Sequence, residues 1–161
     1  MRYLIGDEAK ESEEYMKIAA GYAKNSTCRK SKRGAIIVKD GEIIGKGYNK
    51  VTIEGLCDPC IREEIKDNSR VELCSAIHAE QMAIIDVINN SKSLDGSRMY
   101  HIKVKNEEMR KSGKPSCTIC SREILESGIA EFVLWHEEGY RVYDSKELND
   151  LSFKYFLEKK G

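Results

Sequence analysis

The chain has 161 residues, with 27 lysines and arginines balanced by 27 aspartates and glutamates. That length suits a single domain, residues 1–161, with a sizeable core. Zero net charge argues against a broad nucleic-acid or membrane surface, and no apolar run reaches membrane-spanning length.

The opening stretch, MRYLIGDEAKESEEY, turns acidic too early for a secretory signal. The expected compartment is therefore cytoplasmic, where thiols stay reduced. Six cysteines in that setting suggest metal binding, catalysis or burial more than disulfides.

Residues 6–25 predict an amphipathic helix. Tyr15, Ile18, Ala19 and Tyr22 fall at helical spacing, and acidic residues crowd its first turns. The basic run CRKSKRG at 28–34 reads as a solvated loop; the rival reading is a phosphate contact through Arg29, Lys30, Lys32 or Arg33. GAIIVKDGEIIGKGYN follows, with two β-rich runs around Asp40-Gly41, a strong hairpin signal. Its first run, AIIV, is apolar throughout, as in a strand covered on both faces.

Residues 49–73 form an irregular, polar connection containing Gly55 and Pro59, with a short helix expected around CIREEIK. AIHAEQMAIIDVINN predicts a helix with a broad apolar face of Ile77, Met82, Ile84, Ile85 and Ile88. RMYHIKV is a strand and NEEMRKSGKPS a polar loop. CTICSREILESG is a helix stopped by Gly128. IAEFVLWHE is another strand, and residues 145–160 carry a final helix. The order α-β-β-α-β-α-β-α argues for an α/β fold, a mixed sheet with helices on both faces.

Chemistry concentrates at two helix starts. Cys117 and Cys120 form a C-x-x-C where a loop becomes a helix, so both thiols face one way near the positive end of the helix dipole. His78 also opens its helix. One imidazole and two thiolates suit Zn²⁺ with an open fourth position for water. Glu80, two residues past His78, is placed to take that water's proton and hand it to a departing amine. A redox reading of the C-x-x-C leaves His78 and Glu80 unexplained. The four residues together match the zinc deaminase signature H-x-E…P-C-x-x-C.

On these residues the chain resembles the cytidine/deoxycytidylate deaminase superfamily. The resemblance spans residues 34–135 and includes GAIIVKDGEIIGKGYN, HAE and ESGIAEFVL. It looks most like the deoxycytidylate deaminase branch, in which a strand–turn–strand ending in Gly-Tyr-Asn precedes the zinc helix. The resemblance implies a three-layer α/β/α fold on a five-stranded mixed sheet. It implies catalytic zinc on His78, Cys117 and Cys120, with Glu80 as proton carrier. Asn49 would bond the sugar or base, and the Ala79 backbone the base carbonyl. The expected reaction is hydrolysis of dCMP to dUMP and ammonia, by a homo-oligomer acting on a free nucleotide.

One position departs from the family pattern: Ser116 stands where proline usually precedes the first cysteine, and Pro115 lies one earlier. The resemblance implies that the carbonyl receiving the substrate's amino group lies in this segment, so the change bears on substrate identity. It keeps open another amino-heterocycle, such as cytidine, guanine, a modified nucleotide or an antibiotic base. A non-catalytic zinc-stabilised binding module is a further reading, against which the intact Glu80 argues.

Cys28, Cys57, Cys60 and Cys74 remain. Four thiols suit a closed structural zinc site that would pin residues 49–73; the alternative is that Cys28 and Cys74 are simply buried. His101 and His136 fall within strands and receive no role. Trp135, Tyr140 and Tyr143 read as packing residues rather than base-stacking ones.

Overall fold

Ala35, Ile36, Ile37 and Val38 are all buried, as a strand between two helical layers requires. They lie in a computed structural model of the chain that describes residues 1–53, 55–65 and 70–158. In chain order the elements begin with β1 (Arg2–Tyr3), α1 (Gly6–Ala23), β2 (Lys32–Lys39), β3 (Glu42–Tyr48) and β4 (Lys50–Val51). A 3₁₀ turn (Val71–Leu73), β5 (Ala76–Ile77), α2 (Ala79–Asn89), β6 (Arg98–Lys105) and β7 (Glu108–Arg110) follow. The chain closes with α3 (Thr118–Glu126), β8 (Glu131–His136), β9 (Gly139–Asp144) and α4 (Ser145–Leu157).

The main sheet runs β1-β9-β8-β6-β2-β3, with β7 pairing on β6. It is mixed: β6 and β8 are parallel, and the other ladders are antiparallel. Side-chain alternation splits the core. Ala35, Ile37 and Met99 face α2, α3 and α4, while Ile36, Val38, Tyr100 and Ile102 face α1. The result is a three-layer α/β/α arrangement.

The sheet has seven strands among the described residues rather than five. Five are long; β1 and β7 are two and three residues. β9 forms because Gly139, at φ +133, turns the chain back against β8. β7 folds onto β6 through Asn106 and Glu107, both at positive φ.

The helix expected around CIREEIK does not form over its described residues 60–65. Glu63 N–H donates to the Cys60 carbonyl (2.8 Å) and Ile65 N–H to that of Arg62 (3.1 Å), which are isolated turns. So short a segment, with Ile61 exposed, gains too little burial to offset helix nucleation. Lys66 of that expectation, and residues 159–160 of the last helix, lie outside the described residues.

Close approach of helix to sheet depends on glycine. A Cβ on Gly47 would meet the Ala79 carbonyl oxygen at 2.4 Å and the Ala83 nitrogen at 2.5 Å. Gly47 thus lets the first turn of α2, which carries Glu80, lie directly on β3. Gly47→Ala is expected to lower unfolding free energy by about 3 kcal/mol, the scale of an overpacked core. A denaturant midpoint equal to that of the unmodified protein would contradict this seating.

Candidate active site

α2 and α3 begin side by side. His78 caps the start of α2, its backbone N–H donating to Gln81 Oε1 at 2.9 Å. Gln81 Nε2 in turn donates to Glu123 Oε1 of α3 at 3.0 Å, tying the helices together. Cys117 caps α3, its Sγ accepting from the Cys120 N–H at 3.4 Å.

These two caps bring three donor atoms to one point. His78 Nδ1 is 3.1 Å from Cys120 Sγ and 3.5 Å from Cys117 Sγ. All three ligand atoms lie within 4.8 Å of one another. Tetrahedral zinc with ordinary Zn–N and Zn–S bonds sets N···S separations of about 3.6 Å, so the set fits zinc and leaves a fourth corner unclaimed. It is the one such group of three or more among the described residues.

The electrostatics favour a metal. A hydrogen bond from Cys120 holds the Cys117 thiol down at about 5, against the opposing effect of burial. The thiolate so formed, with burial, pushes Cys120 well up. Burial opposes charge on His78, but hydrogen bonds to Cys117 and Cys74 outweigh it and raise the imidazole to about 10. A cation would replace the protons that His78 and Cys120 hold in its absence.

Glu80, in the first turn of α2, is 8% exposed. Burial works to raise its carboxyl, but His101, which still carries charge in the acid range where Glu80 titrates, outweighs it together with His78 and Arg33 and holds the pKa below the usual range. The resting group is a carboxylate, the form that accepts a proton.

The site opens into a cavity of about 230 Å³. Asn49, Ala79 and Ser116 all line it, as do Cys28, Cys57, Cys60 and Cys74. Asn49 is heavily engaged. Its Oδ1 accepts from Ser26 Oγ (2.6 Å) and the Arg33 N–H (2.8 Å), and its Nδ2 donates to the Ser31 carbonyl (2.7 Å). One amide N–H remains for a ligand. The four outer thiols do not gather as a ligand set; Cys57 Sγ meets Ser75 Oγ at 3.1 Å.

Among the basic candidates, Arg29 pairs with Asp58 at 2.6 Å and Lys32 Nζ donates to the Lys24 carbonyl at 3.0 Å. Lys30 lines the cavity but donates to the carbonyls of Arg62 and Ile65. Arg33 also lines it, with its Nε on Ser31 Oγ at 3.1 Å and no ion-pair partner within reach among the described residues. Trp135, Tyr140 and Tyr143 do not line the cavity. Trp135 stacks on Tyr140, and Tyr143 packs in the core with its hydroxyl 2.8 Å from His136 Nε2.

His101 was given no role from sequence, yet it lines the cavity beside Glu80. Its signal was parity: Met99, His101 and Lys103 alternate onto the face that carries Ala35.

A family model for the cytidine and deoxycytidylate deaminase zinc-binding region matches residues 9–136. The chain is 32% identical over 129 residues to a deoxycytidylate deaminase of Mycobacterium phage D29, covering 75% of this chain and 91% of that one. It is 25% identical over 134 residues to a deoxycytidylate deaminase of Saccharomyces cerevisiae, covering 80% of this chain but 38% of the yeast protein. This chain therefore aligns with well under half the length of the yeast relative. The crystal structure of dCMP deaminase from the cyanophage S-TIM5 in complex with dCMP and dUMP matches with a TM-score of 0.53 at 26% identity, covering 80% of this chain and 82% of that chain.

Proposed function

Because the chain belongs to the cytidine and deoxycytidylate deaminase zinc-binding family, we propose that it hydrolyses the exocyclic amine of a free pyrimidine nucleotide, dCMP, giving dUMP and ammonia. The carrying observation is the convergence of His78 Nδ1 with two sulfurs, at 3.1 and 3.5 Å, beside the buried carboxylate of Glu80. His78, Cys117 and Cys120 would hold zinc, and residues 1–161 act as one deaminase domain.

Zinc held by these residues would supply a water that ionises near neutral pH. Glu80 takes a proton from the attacking water and delivers it to ring N3 as that oxygen adds to C4. It then takes the second proton of the added oxygen and passes it to the C4 amine, which leaves as ammonia. Glu80 ends as the carboxylate it began as, and water has replaced the amine. The Ala79 backbone, at the start of α2 and on the cavity wall, is placed for the base carbonyl. Asn49 offers its remaining N–H to the sugar or base.

Arg33 reads the phosphate in this proposal, supported by its place in the cavity and by there being no carboxylate within ion-pair distance of it among the described residues. Arg33→Ala should raise KM for dCMP about tenfold or more, the worth of one charge-assisted hydrogen bond, and leave deoxycytidine turnover little changed. Equal losses for nucleotide and nucleoside would remove Arg33 from that role.

Ser116 favours a second reading, another amino-heterocycle, because it is buried in the cavity wall directly before Cys117. Ammonia release across amino-nucleobases, nucleosides and nucleotides separates the two. Release from dCMP first supports the proposal. Release from another class alone transfers the activity to that class. A zinc-loaded protein that releases none is a binding module.

A second zinc on Cys28, Cys57, Cys60 and Cys74 is a separate part of the proposal, supported by all four residues lining one cavity. Loading requires the sulfurs to draw together. Two zincs per chain, falling to one in Cys57→Ser/Cys60→Ser, is the expected result; one in the unmodified protein ends the idea. We also propose a cytoplasmic homo-oligomer. Six free cysteines suit a reducing compartment, and Ile85 and Ile88 stand exposed on α2. No helix among the described residues is long and apolar enough to cross a membrane.

A further inference from the structure

His101 lies on β6 opposite Ala35 of β2, so it shares the sheet face that α2, α3 and α4 cover. Its side chain is buried, with 5% of the residue exposed, and its ring stacks on Phe132 with centroids 6.0 Å apart. Nε2 approaches Glu80 Oε1 at 3.7 Å. Nδ1 is buried with no hydrogen-bond partner among the described residues.

That asymmetry fixes the proton. Burial pushes the His101 pKa down to about 4, so the ring is neutral at pH 7 and carries one N–H. On Nδ1 the N–H would be a buried donor with no acceptor. On Nε2 it faces a carboxylate oxygen. The Nδ1–H form would leave that donor unpaired and also turn the Nε2 lone pair toward the Glu80 carboxylate, so it forfeits two interactions where the Nε2–H form forfeits one.

We propose that His101 is a positioning residue for the deamination: its Nε2–H holds Oε1 of Glu80 and leaves Oε2 as the oxygen that exchanges protons with water and substrate. The 3.7 Å approach is longer than a hydrogen bond; a small rotation of the Glu80 side chain closes it. Glu80 has long side-chain torsions, and a carboxylate that must pick up and deliver protons at three different atoms gains from one fixed oxygen. The assignment rests on Glu80 as proton carrier, but not on the identity of the substrate.

Two measurements on the zinc-loaded protein test it. Nitrogen-15 NMR of the imidazoles should show His101 as the neutral tautomer protonated at Nε2, with resonances that move in Glu80→Gln. In kinetics, His101→Leu should lower kcat about 10- to 100-fold at unchanged KM and zinc content, and His101→Gln, whose amide N–H reaches the same way, should recover most of the loss. A proton on Nδ1, His101 resonances indifferent to Glu80→Gln, or Gln as impaired as Leu would overturn the proposal. If Leu does not fold, the tautomer and the Gln variant still decide. Full activity in Glu80→Gln would instead overturn the role of Glu80, a separate outcome.

Discussion

Glu80→Gln should keep its zinc and lose about 10²- to 10⁴-fold in kcat, the usual worth of a positioned proton carrier. The substitution conserves shape and hydrogen-bonding reach. It removes only the ability to accept a proton and give it back. Glu80 is not among the three atoms that gather for the metal, which are His78 Nδ1 and the sulfurs of Cys117 and Cys120. Metal content should therefore be untouched, and the neutral amide still fits the buried position beside His101. KM should change little, because the carboxylate's work falls in the transition state rather than in ground-state binding. Steady-state kinetics with metal analysis of the same sample checks this. Near-normal turnover would mean that another group moves the protons.

Cys120→Ser should lose the catalytic zinc and all measurable turnover. Cys120 is 2% exposed and sits in the core cluster with Ala83, Ile124 and Leu148. A metal on these three ligands would join the starts of α2 and α3, so its loss would also be a loss of stability. Zinc at a thousandfold excess over its Kd stabilises the folded form by about 4 kcal/mol, on the order of 8–16 °C in melting temperature for a chain of this size. Chelation of the unmodified protein should reproduce most of that shift and should add little in Cys120→Ser.

Loading should also release protons. Without metal at pH 7, His78 is held charged by its raised pKa of about 10 and Cys120 is held protonated, whereas Cys117, at about 5, is already thiolate. Zinc takes the neutral imidazole and both thiolates, so His78 and Cys120 each give up a proton. The sign follows: protons compete with zinc, and affinity rises with pH through this range. Titration calorimetry in buffers of different ionisation enthalpy reads the released protons directly. Binding with no proton release would place the metal elsewhere.

The gathering of His78, Cys117 and Cys120 was legible in sequence because the pattern of each pair is local. His78 and Glu80 are two residues apart and Cys117 and Cys120 three, each pair at a helix start. Only their meeting needed the fold, and a capped α2 beside a capped α3 supplies it. The long strands were legible for a similar reason, as 35–38 is apolar without interruption. β9 was not, since Tyr140, Val142 and Asp144 alternate weakly and the turn at Gly139 follows two glutamates.

His101 and Arg33 were missed, or left among several candidates, for a physical reason. Their meaning lies in cross-strand register, with His101 opposite Ala35 and Arg33 two residues before it on the same face. Register depends on partners far along the chain, which no local pattern in RMYHIKV or CRKSKRG carries. The expected CIREEIK helix failed in the opposite way: the local pattern was there, but over residues 60–65 Ile61 stays exposed and only isolated turns form.

The most direct test of a zinc-assisted hydrolysis at this site is to incubate the zinc-loaded protein with dCMP in water enriched in oxygen-18. The account predicts dUMP carrying one heavy oxygen at C4, one ammonia released per dUMP formed, and neither product from Glu80→Gln above its residual rate. Unchanged dCMP, or dUMP formed without the label, would contradict it.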